Sequence, residues 1–326
     1  MSSFKKIGIS FFVLPIVLMC SCSQENQKIN QYFGFNTLIN VKYSGNLTPD
    51  KEEYFALAIS KYDSLFDAHN EESTVSKINK SANSFVNHNG SDELLRIASN
   101  YKNETDNVFN PYLKDVTDLW KNSLANDNIP SVDSYSDLNK KALATFTEIN
   151  ETQVKLSGEG KIDLGGIAKG YLLAKFKLFF LENKISNYIV DAGSSSILLG
   201  EAPIDHNNGL YSVGIYRNNQ SSPSRYLQLK NTAIGTSSIY EQKYLKVDDK
   251  TYSHCINGKT GSAEVKNDMV VAIGEDPIMC DVYSTVGMVS TIDEIKNIEL
   301  TKPLKFLVFS NDQITYKNPD IQVYER

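Results

Sequence analysis

Four short stretches hold the side chains able to do chemistry. In "KIDLGGIAKGYLLAK" (161–175), Asp163 ends a strand-like run, Gly165 and Gly166 follow, and Lys169 falls in the first turn of an apolar-periodic helix. Glycines let backbone approach a ligand closely, and a helix start offers free N–H groups and a positive dipole end. Lysine there adds positive charge where a structural turn favours Asp or Glu. The stretch is neither a P-loop nor a Gly-x-Gly-x-x-Gly motif, and it fits a plain turn or a phosphate-holding one. In "MCDVYSTVG" (279–287), Asp281 and Thr285 are four apart and share one helix face. A carboxylate and a hydroxyl together are hard oxygen donors suited to Mg²⁺ or Ca²⁺, while an Asp cap and a packed Thr explain the same spacing. In "TYSHCINGKTG" (251–261), His254 lies in a loop bounded by turn signals, as a general base near neutral pH or as an ordinary surface histidine. The small-residue turn of "VDAGSSSILLG" (190–200) suits close approach of a pyrophosphate or flat ring, or simply close packing.

These residues need a scaffold, and the hydrophobic pattern supplies one. "FGFNTLINVKYSG" (33–45) alternates as a strand, and 48–69 reads as a helix with Thr48 as cap, Pro49 first, and Glu52 near the capping-box position. Residues 71–81 read as a polar loop with one helical turn. Ser91 leads a second helix, and Pro111 marks an irregular entry to a third. The Asn-, Asp- and Ser-rich segment 126–137 reads as a surface excursion, 145–158 as a hairpin, "KIDL" as a strand and 167–182 as a helix. Strands recur between 188 and 238, a buried strand covers "DMVVAIGED", a helix opens at "IMCDVYSTVGMV", and a hairpin closes the chain. No internal repeat or low-complexity tract is present. This irregular interleaving predicts an α+β fold: a single large domain with mixed β-sheets and flanking helices, over 32–326.

Composition narrows the functional classes. The 326 residues, 41% hydrophobic and 22% charged, can bury a sizeable core. A net charge of −6 argues against a broad nucleic-acid-binding surface, so no nucleic-acid partner is expected. At the N-terminus, Lys5 and Lys6 precede an apolar run that ends in "LMCSCSQENQ". Cys22, preceded by small Ser21, fits the acylation site of a bacterial lipoprotein, with 1–22 as signal peptide and 23–31 as polar tether. The expected location is the cell envelope, lipid-anchored on the periplasmic side of a membrane. Only Cys255 and Cys280 remain in the body, as two buried thiols or a single disulfide. His69, His88 and His206 lie in polar stretches, the last two read as surface residues.

Taken in order, these stretches resemble the ApbE family, the FAD:protein FMN transferases. "DLGGIAKGY" matches that family's Asp-Leu-Gly-(Ala/Gly)-Ile-Ala-Lys-Gly-Tyr signature at every position. "DAGSSS" is similar to its Asn-Ala-Gly-Gly-Asp turn, "IGTSS" to its Thr-Ser-Gly segment, "SHCINGKTG" to Ser-His-Ile-Ile-Asp-Pro-Arg-Thr-Gly, and "CDVYST" to Ala-Asp-Ala-Leu-Ala-Thr. Upstream, "STVSKIN" and "FNPYLKDVTDLW" resemble two further family pieces. The resemblance implies that the Gly166 carbonyl, Asp281 and Thr285 hold Mg²⁺. It implies that Asp163 and Lys169 contact FAD, and that Phe35, His69, Val108, Phe109 and Asn110 line its flavin and adenosine sites. Ser194, Ser237, His254 and Cys255 complete the implied cofactor-binding set, with His254 catalytic. The implied reaction moves FMN from FAD, as substrate, to a threonine hydroxyl of a membrane-associated flavoprotein, with AMP leaving.

The chain departs from the family pattern at Asn257 for Asp, Gly258 for Pro, Asn110 for Asp, His69 for Tyr, and "SSS" for Gly-Gly-Asp. These departures motivate a second reading, and the Tyr-rich composition alone supports a third. The second is a flavin-binding or FAD-pyrophosphatase lipoprotein of the same fold; the third is a tethered interaction protein.

Overall fold

The computed structural model describes residues 27–203, 207–216 and 222–325. The expected signal peptide, Cys22, the start of the tether and His206 lie outside the described residues.

The chain opens with the hairpin β1 (Gln27–Gly34) and β2 (Thr37–Ser44), followed by α1 (Pro49–Phe66), α2 (Thr74–Lys80) and the short β3 (Phe85–Asn87). Helices α3 (Asp92–Glu104), α4 (Lys114–Ala125) and α5 (Val132–Ala144) lead to the hairpin β4 (Phe146–Ile149) and β5 (Gln153–Ser157), then α6 (Ala168–Glu182). The hairpin β6 (Tyr188–Ala192) and β7 (Ser196–Leu199) precedes β8 (Tyr211–Ile215), β9 (Arg225–Leu229) and β10 (Thr232–Ser238). Short β11 (Leu245–Val247), β12 (Lys250–Tyr252) and β13 (Glu264–Val265) form their own sheet. Last come β14 (Met269–Gly274), α7 (Pro277–Val289), α8 (Ile292–Thr301), β15 (Leu304–Ser310), β16 (Gln313–Lys317) and β17 (Val323–Glu325).

Eight strands make the main sheet, in the order β1-β2-β6-β7-β10-β14-β15-β16. The α+β class holds, and every strand ladder is antiparallel. Helix α6 lies buried against this sheet and carries Leu172, Phe176 and Phe180 with no exposure. Phe55 of α1 meets Phe176 edge-on at 5.1 Å, and Phe180 stacks on Tyr188 of β6 at 4.2 Å. Each such ring contributes about 1.5–3 kcal/mol by burial, so the helix that starts beside Lys169 is firmly seated. On the opposite face, β8, β9 and β17 form a small sheet, whose Tyr211 and Leu227 join Leu199, Ile234, Val271 and Phe309 in a second core. Among the described residues no helix is long and apolar enough to cross a membrane.

Four expectations need correction. Strand β1 begins at Gln27, so 27–31 is sheet rather than tether; its pairing with β2 supplies the partner a local pattern does not reveal. The presumed excursion at 126–137 contains the start of α5, because Ser131 caps it by accepting from the Ser134 N–H. "KIDL" makes only one isolated bridge, Lys161 to Leu113. Its Ile162 backbone is taken instead by the Asn79 side chain, which donates to the carbonyl at 2.9 Å and accepts from the N–H at 2.7 Å. His88 is buried, not on the surface: its Nε2 lies 3.0 Å from the Glu151 carbonyl, and its Nδ1 accepts from the Gly90 N–H.

Candidate active site

The entry to α6 is built by side chains that replace sheet pairing. Beyond Ile162, the Asp163 N–H donates to the Pro111 carbonyl at 2.8 Å, and its Oδ1 accepts from the Gly165 N–H at 2.9 Å. The chain then enters α6 with Lys169 as its second residue. Lys169 Nζ donates to Ser195 Oγ at 2.5 Å. Among the described residues no carboxylate lies within ion-pairing distance of it. The ammonium sits at the positive end of a helix, and the Asp191 and Glu241 carboxyls feel its charge from beyond ion-pairing distance.

Helix α7 brings the carboxylate. Its cap is Asp276, which accepts from Ile278 and Met279, so Asp281 is an interior residue rather than a cap. Asp281 is buried; its Oδ2 accepts from the Gly170 N–H at 2.8 Å and its Oδ1 from Ser196 Oγ at 2.8 Å. A side chain on Gly170 would put Cβ 2.6 Å from the Pro277 carbonyl oxygen and 2.8 Å from Asp281 Cβ, so only glycine lets α6 and α7 cross here. One turn on, Thr285 Oγ1 lies 3.3 Å from Ser237 Oγ of β10, which lies 2.9 Å from Ser284 Oγ. Thr285 Oγ1 is also 3.7 Å from where a Cβ on Gly166 would stand, and the Phe109 ring is 3.5 Å from the same point.

The turn between β6 and β7 closes one side. Gly193 (φ 69°) and Ser194 (φ 63°) are both left-handed, and the Ser194 N–H donates to Asp191 Oδ1 at 2.7 Å. The Gly193 N–H donates to the Leu38 carbonyl, which draws the β1–β2 turn with Phe35 against this side. Phe35 is itself left-handed (φ 52°), and its N–H donates to Asp63 Oδ1 at 2.9 Å. Burial pushes the Asp191 carboxyl up, opposed by the Ser194 N–H, Asn40 and Lys169.

The His254 loop closes another side. Trp120 Nε1 donates to the Gly261 carbonyl at 2.8 Å and its ring stacks on Tyr252 at 5.6 Å, pinning both ends. The Gly258 N–H donates to the Val108 carbonyl at 2.9 Å, and a Cβ there would fall 2.7 Å from Asn110 Cβ. The departure to glycine thus lets the loop lie against 107–110. Asn257 caps its own turn, its Oδ1 accepting from the Lys259 N–H at 3.0 Å, a task aspartate performs equally. His254 is half-buried, but its Nδ1 is fully buried without a partner, as is Asn110 Nδ2. Burial first, and then the Lys169 ammonium, push the His254 imidazole down to about 4, which leaves it neutral at pH 7 with its proton affinity reduced.

Sequence reasoning missed four contributors: Asn79, Ser195, Ser196 and Glu241. Asn79 sits in the quoted "STVSKIN" and the serines in "DAGSSS", but their partners are distant in sequence. Glu241 ends a 3-10 turn (Ile239–Glu241) after β10, anchored by fully buried Ile239. Although the residue is surface-exposed, lost hydration pushes its carboxyl up to about 7, with Lys169 lowering it and Asp281 raising it. Its carboxyl thus feels the charges of both Lys169 and Asp281.

Other expected residues stand apart. His69 is exposed after α1, with its N–H donating to Asp67 Oδ1 at 2.8 Å, and no contact ties it to Lys169 or Asp281. Cys255 and Cys280 are buried free thiols and form no disulfide. Burial pushes the Cys255 thiol up to about 12, and Cys280 up as well, so neither is a thiolate at neutral pH.

Among the described residues no three His, Cys, Asp or Glu side chains cluster as a metal centre. The available set is one buried carboxylate without a cationic partner, one hydroxyl and the neighbouring Gly166 backbone. Hard oxygen donors this few fit Mg²⁺, which keeps water and substrate phosphate as its other ligands.

A model of the ApbE family matches residues 35–306. An FAD:protein FMN transferase of Klebsiella pneumoniae (strain 342) is 22% identical over 129 residues, which span 39% of this chain and 38% of that relative. Among solved structures, the ApbE protein of Thermotoga maritima MSB8 superposes with a TM-score of 0.74 at 23% identity, over 86% of this chain and 94% of that one. The Pseudomonas stutzeri flavinyl transferase ApbE in its apo form gives a TM-score of 0.72 at 18% identity, over 88% and 93%. The Vibrio cholerae flavin transferase ApbE gives 0.71 at 16%, over 92% and 96%. With the family match covering most of the chain and the fold shared over 86% of it, the chain belongs to the ApbE family.

Proposed function

We propose that this chain transfers FMN from FAD to a threonine hydroxyl of a target flavoprotein and releases AMP. The observation that carries this reading is that Lys169 and Asp281, from distant segments, bond the adjacent Ser195 and Ser196, while the His254 loop packs on residues 107–110 beside Gly166. Lys169, bonded only to a hydroxyl, offers its charge to the pyrophosphate. Phe109 beside Gly166, and Asn110 Nδ2 without a partner, supply a flat apolar wall and a free donor for the rings. Neutral His254 accepts the proton of the threonine hydroxyl as its oxygen attacks the FMN phosphorus. The bond between that phosphorus and the bridging oxygen breaks, and the oxygen leaves on AMP.

Asp281, Thr285 and the Gly166 carbonyl would hold Mg²⁺. Bound there, the ion would neutralise phosphate charge and stabilise the leaving group. Gly170 and Ser196 keep the Asp281 carboxylate oriented, and Asp163 keeps the glycine turn shaped. The sequence pattern at Cys22 supports a lipid-anchored enzyme on the periplasmic side of a membrane, next to membrane-associated acceptors.

The test is incubation with FAD, Mg²⁺ and a threonine-bearing flavoprotein fragment. A mass gain of one FMN on the fragment, lost with His254→Ala, is expected. AMP and free FMN without a modified fragment would establish the pyrophosphatase reading instead, and no FAD binding would leave the interaction reading.

A further inference from the structure

Among the described residues, nothing covers the apolar side chains at one corner of the main sheet. Along β1, Gln27, Ile29, Gln31 and Phe33 point outward and the alternate residues point inward, where Tyr32 packs on the core and Gly34 touches Ile59 of α1. Ile29 is 67% exposed and Phe33 71% exposed. Phe33 pairs with Leu38 of β2, and Gln31 Nε2 donates to Asn40 Oδ1 at 2.8 Å between the two apolar positions. Elsewhere the outward face of the sheet is covered: the second core takes residues from β6, β7, β10, β14, β15 and β16, and none from β1 or β2. Among the described residues the corner is therefore an unpartnered end of a face whose remainder has a roof. A phenylalanine and an isoleucine this exposed on one strand mark a contact surface.

Chain connectivity selects the occupant. On the proposed reading of Cys22 as the acylated residue, five peptide steps join the anchor to Gln27, the first residue of β1. Fully extended, they reach at most about 18 Å. The edge strand thus cannot leave the vicinity of the bilayer, while the far edge at β16 can. We propose that the outer face of β1, through Ile29 and Phe33, rests on the lipid surface that holds the anchor. Apolar side chains entering the interfacial zone bury area there as an amphipathic helix does. Docking also places the β1–β2 turn at the membrane. That turn lies beside the Gly193–Ser195 turn that holds Lys169. The site would then open next to acceptors in the same bilayer.

The inference rests on the lipid-anchor reading, and the experiment separates the two. Full-length acylated protein carrying Phe33→Trp is reconstituted into phosphatidylethanolamine–phosphatidylglycerol vesicles, with or without brominated acyl chains. Leu300→Trp is the control, since Leu300 is 83% exposed on α8, which packs on β15 at the other end of the sheet. Native Trp120 is 1% exposed and supplies a constant background. The expected result is that brominated lipid quenches most of the emission added at 33 and none of that added at 300. Flotation with the vesicles but equal emission in both lipids would overturn the docking and leave the anchor intact. Failure to float would overturn the anchor and the docking with it. A doubled mass by light scattering with position 33 unquenched would give the face to a second copy and equally overturn the proposal.

Discussion

The Gly170 N–H donates to Asp281 Oδ2 at 2.8 Å, so the residue after Lys169 fixes the carboxylate proposed to face the same phosphates. Two helices that begin 109 residues apart, at Ala168 and Pro277, are thereby locked at their crossing. The first consequence concerns Gly170→Ala. A methyl 2.6 Å from the Pro277 carbonyl must push α6 from α7, and overpacking of this kind costs about 1–3 kcal/mol. Denaturant titration should show that loss, and transfer activity should fall further because Asp281 moves with α7.

Lys169→Met keeps the aliphatic stem and removes the charge. A charge-assisted bond to phosphate is worth about 1.5–3 kcal/mol, roughly ten- to hundredfold in affinity. Titration calorimetry with FAD should show that weakening and a flatter dependence on salt. An unchanged affinity would remove Lys169 from the pyrophosphate.

His254 and Glu241 predict opposite pH signatures. The folded His254 value, about 4, lies below that of a free histidine. The unfolded chain therefore takes up the proton first, and stability present above about pH 6.5 is lost as pH falls towards 4. His254→Ala should remove that part of the acid-side slope and reduce turnover by about 10²–10⁴. The folded Glu241 value, about 7, lies above that of a free glutamate. Its stability is complete at low pH and is lost as pH rises from about 4.5 through 7. Glu241→Gln should therefore raise the melting temperature at pH 8 and leave it unchanged at pH 4.

Ser194 holds a left-handed conformation (φ 63°) that glycine adopts without strain. Ser194→Gly should stabilise the chain by about 1 kcal/mol, the usual penalty for a side chain there less the added freedom of the unfolded chain. Thermal melts at one pH would measure it.

Much of the candidate site is legible in the sequence because its residues sit in short, locally patterned stretches. Lys169 was misplaced for a structural turn, and Asp281 and Thr285 share a helix face, which the α7 geometry bears out. The α6 and α7 helices, the 145–158 hairpin and the α+β class were likewise written in periodicity and turn residues. What escaped depends on partners far along the chain. Thr48 and Ser91 precede helices but make no side-chain cap, and Glu52 bonds Lys28 and Tyr43 instead of closing a capping box. The Asn79 grip on Ile162 spans 83 residues and the Ser196 bond to Asp281 spans 85. Nothing in local composition encodes either pairing.

The central claim is that one AMP leaves for each FMN attached. Purified chain, FAD and Mg²⁺ are mixed with a threonine-bearing fragment, AMP is quantified by chromatography, and attached flavin by intact mass. Equal amounts, rising together with time and both abolished by Asp281→Asn, are predicted. AMP accumulating without flavin on the fragment would contradict the account.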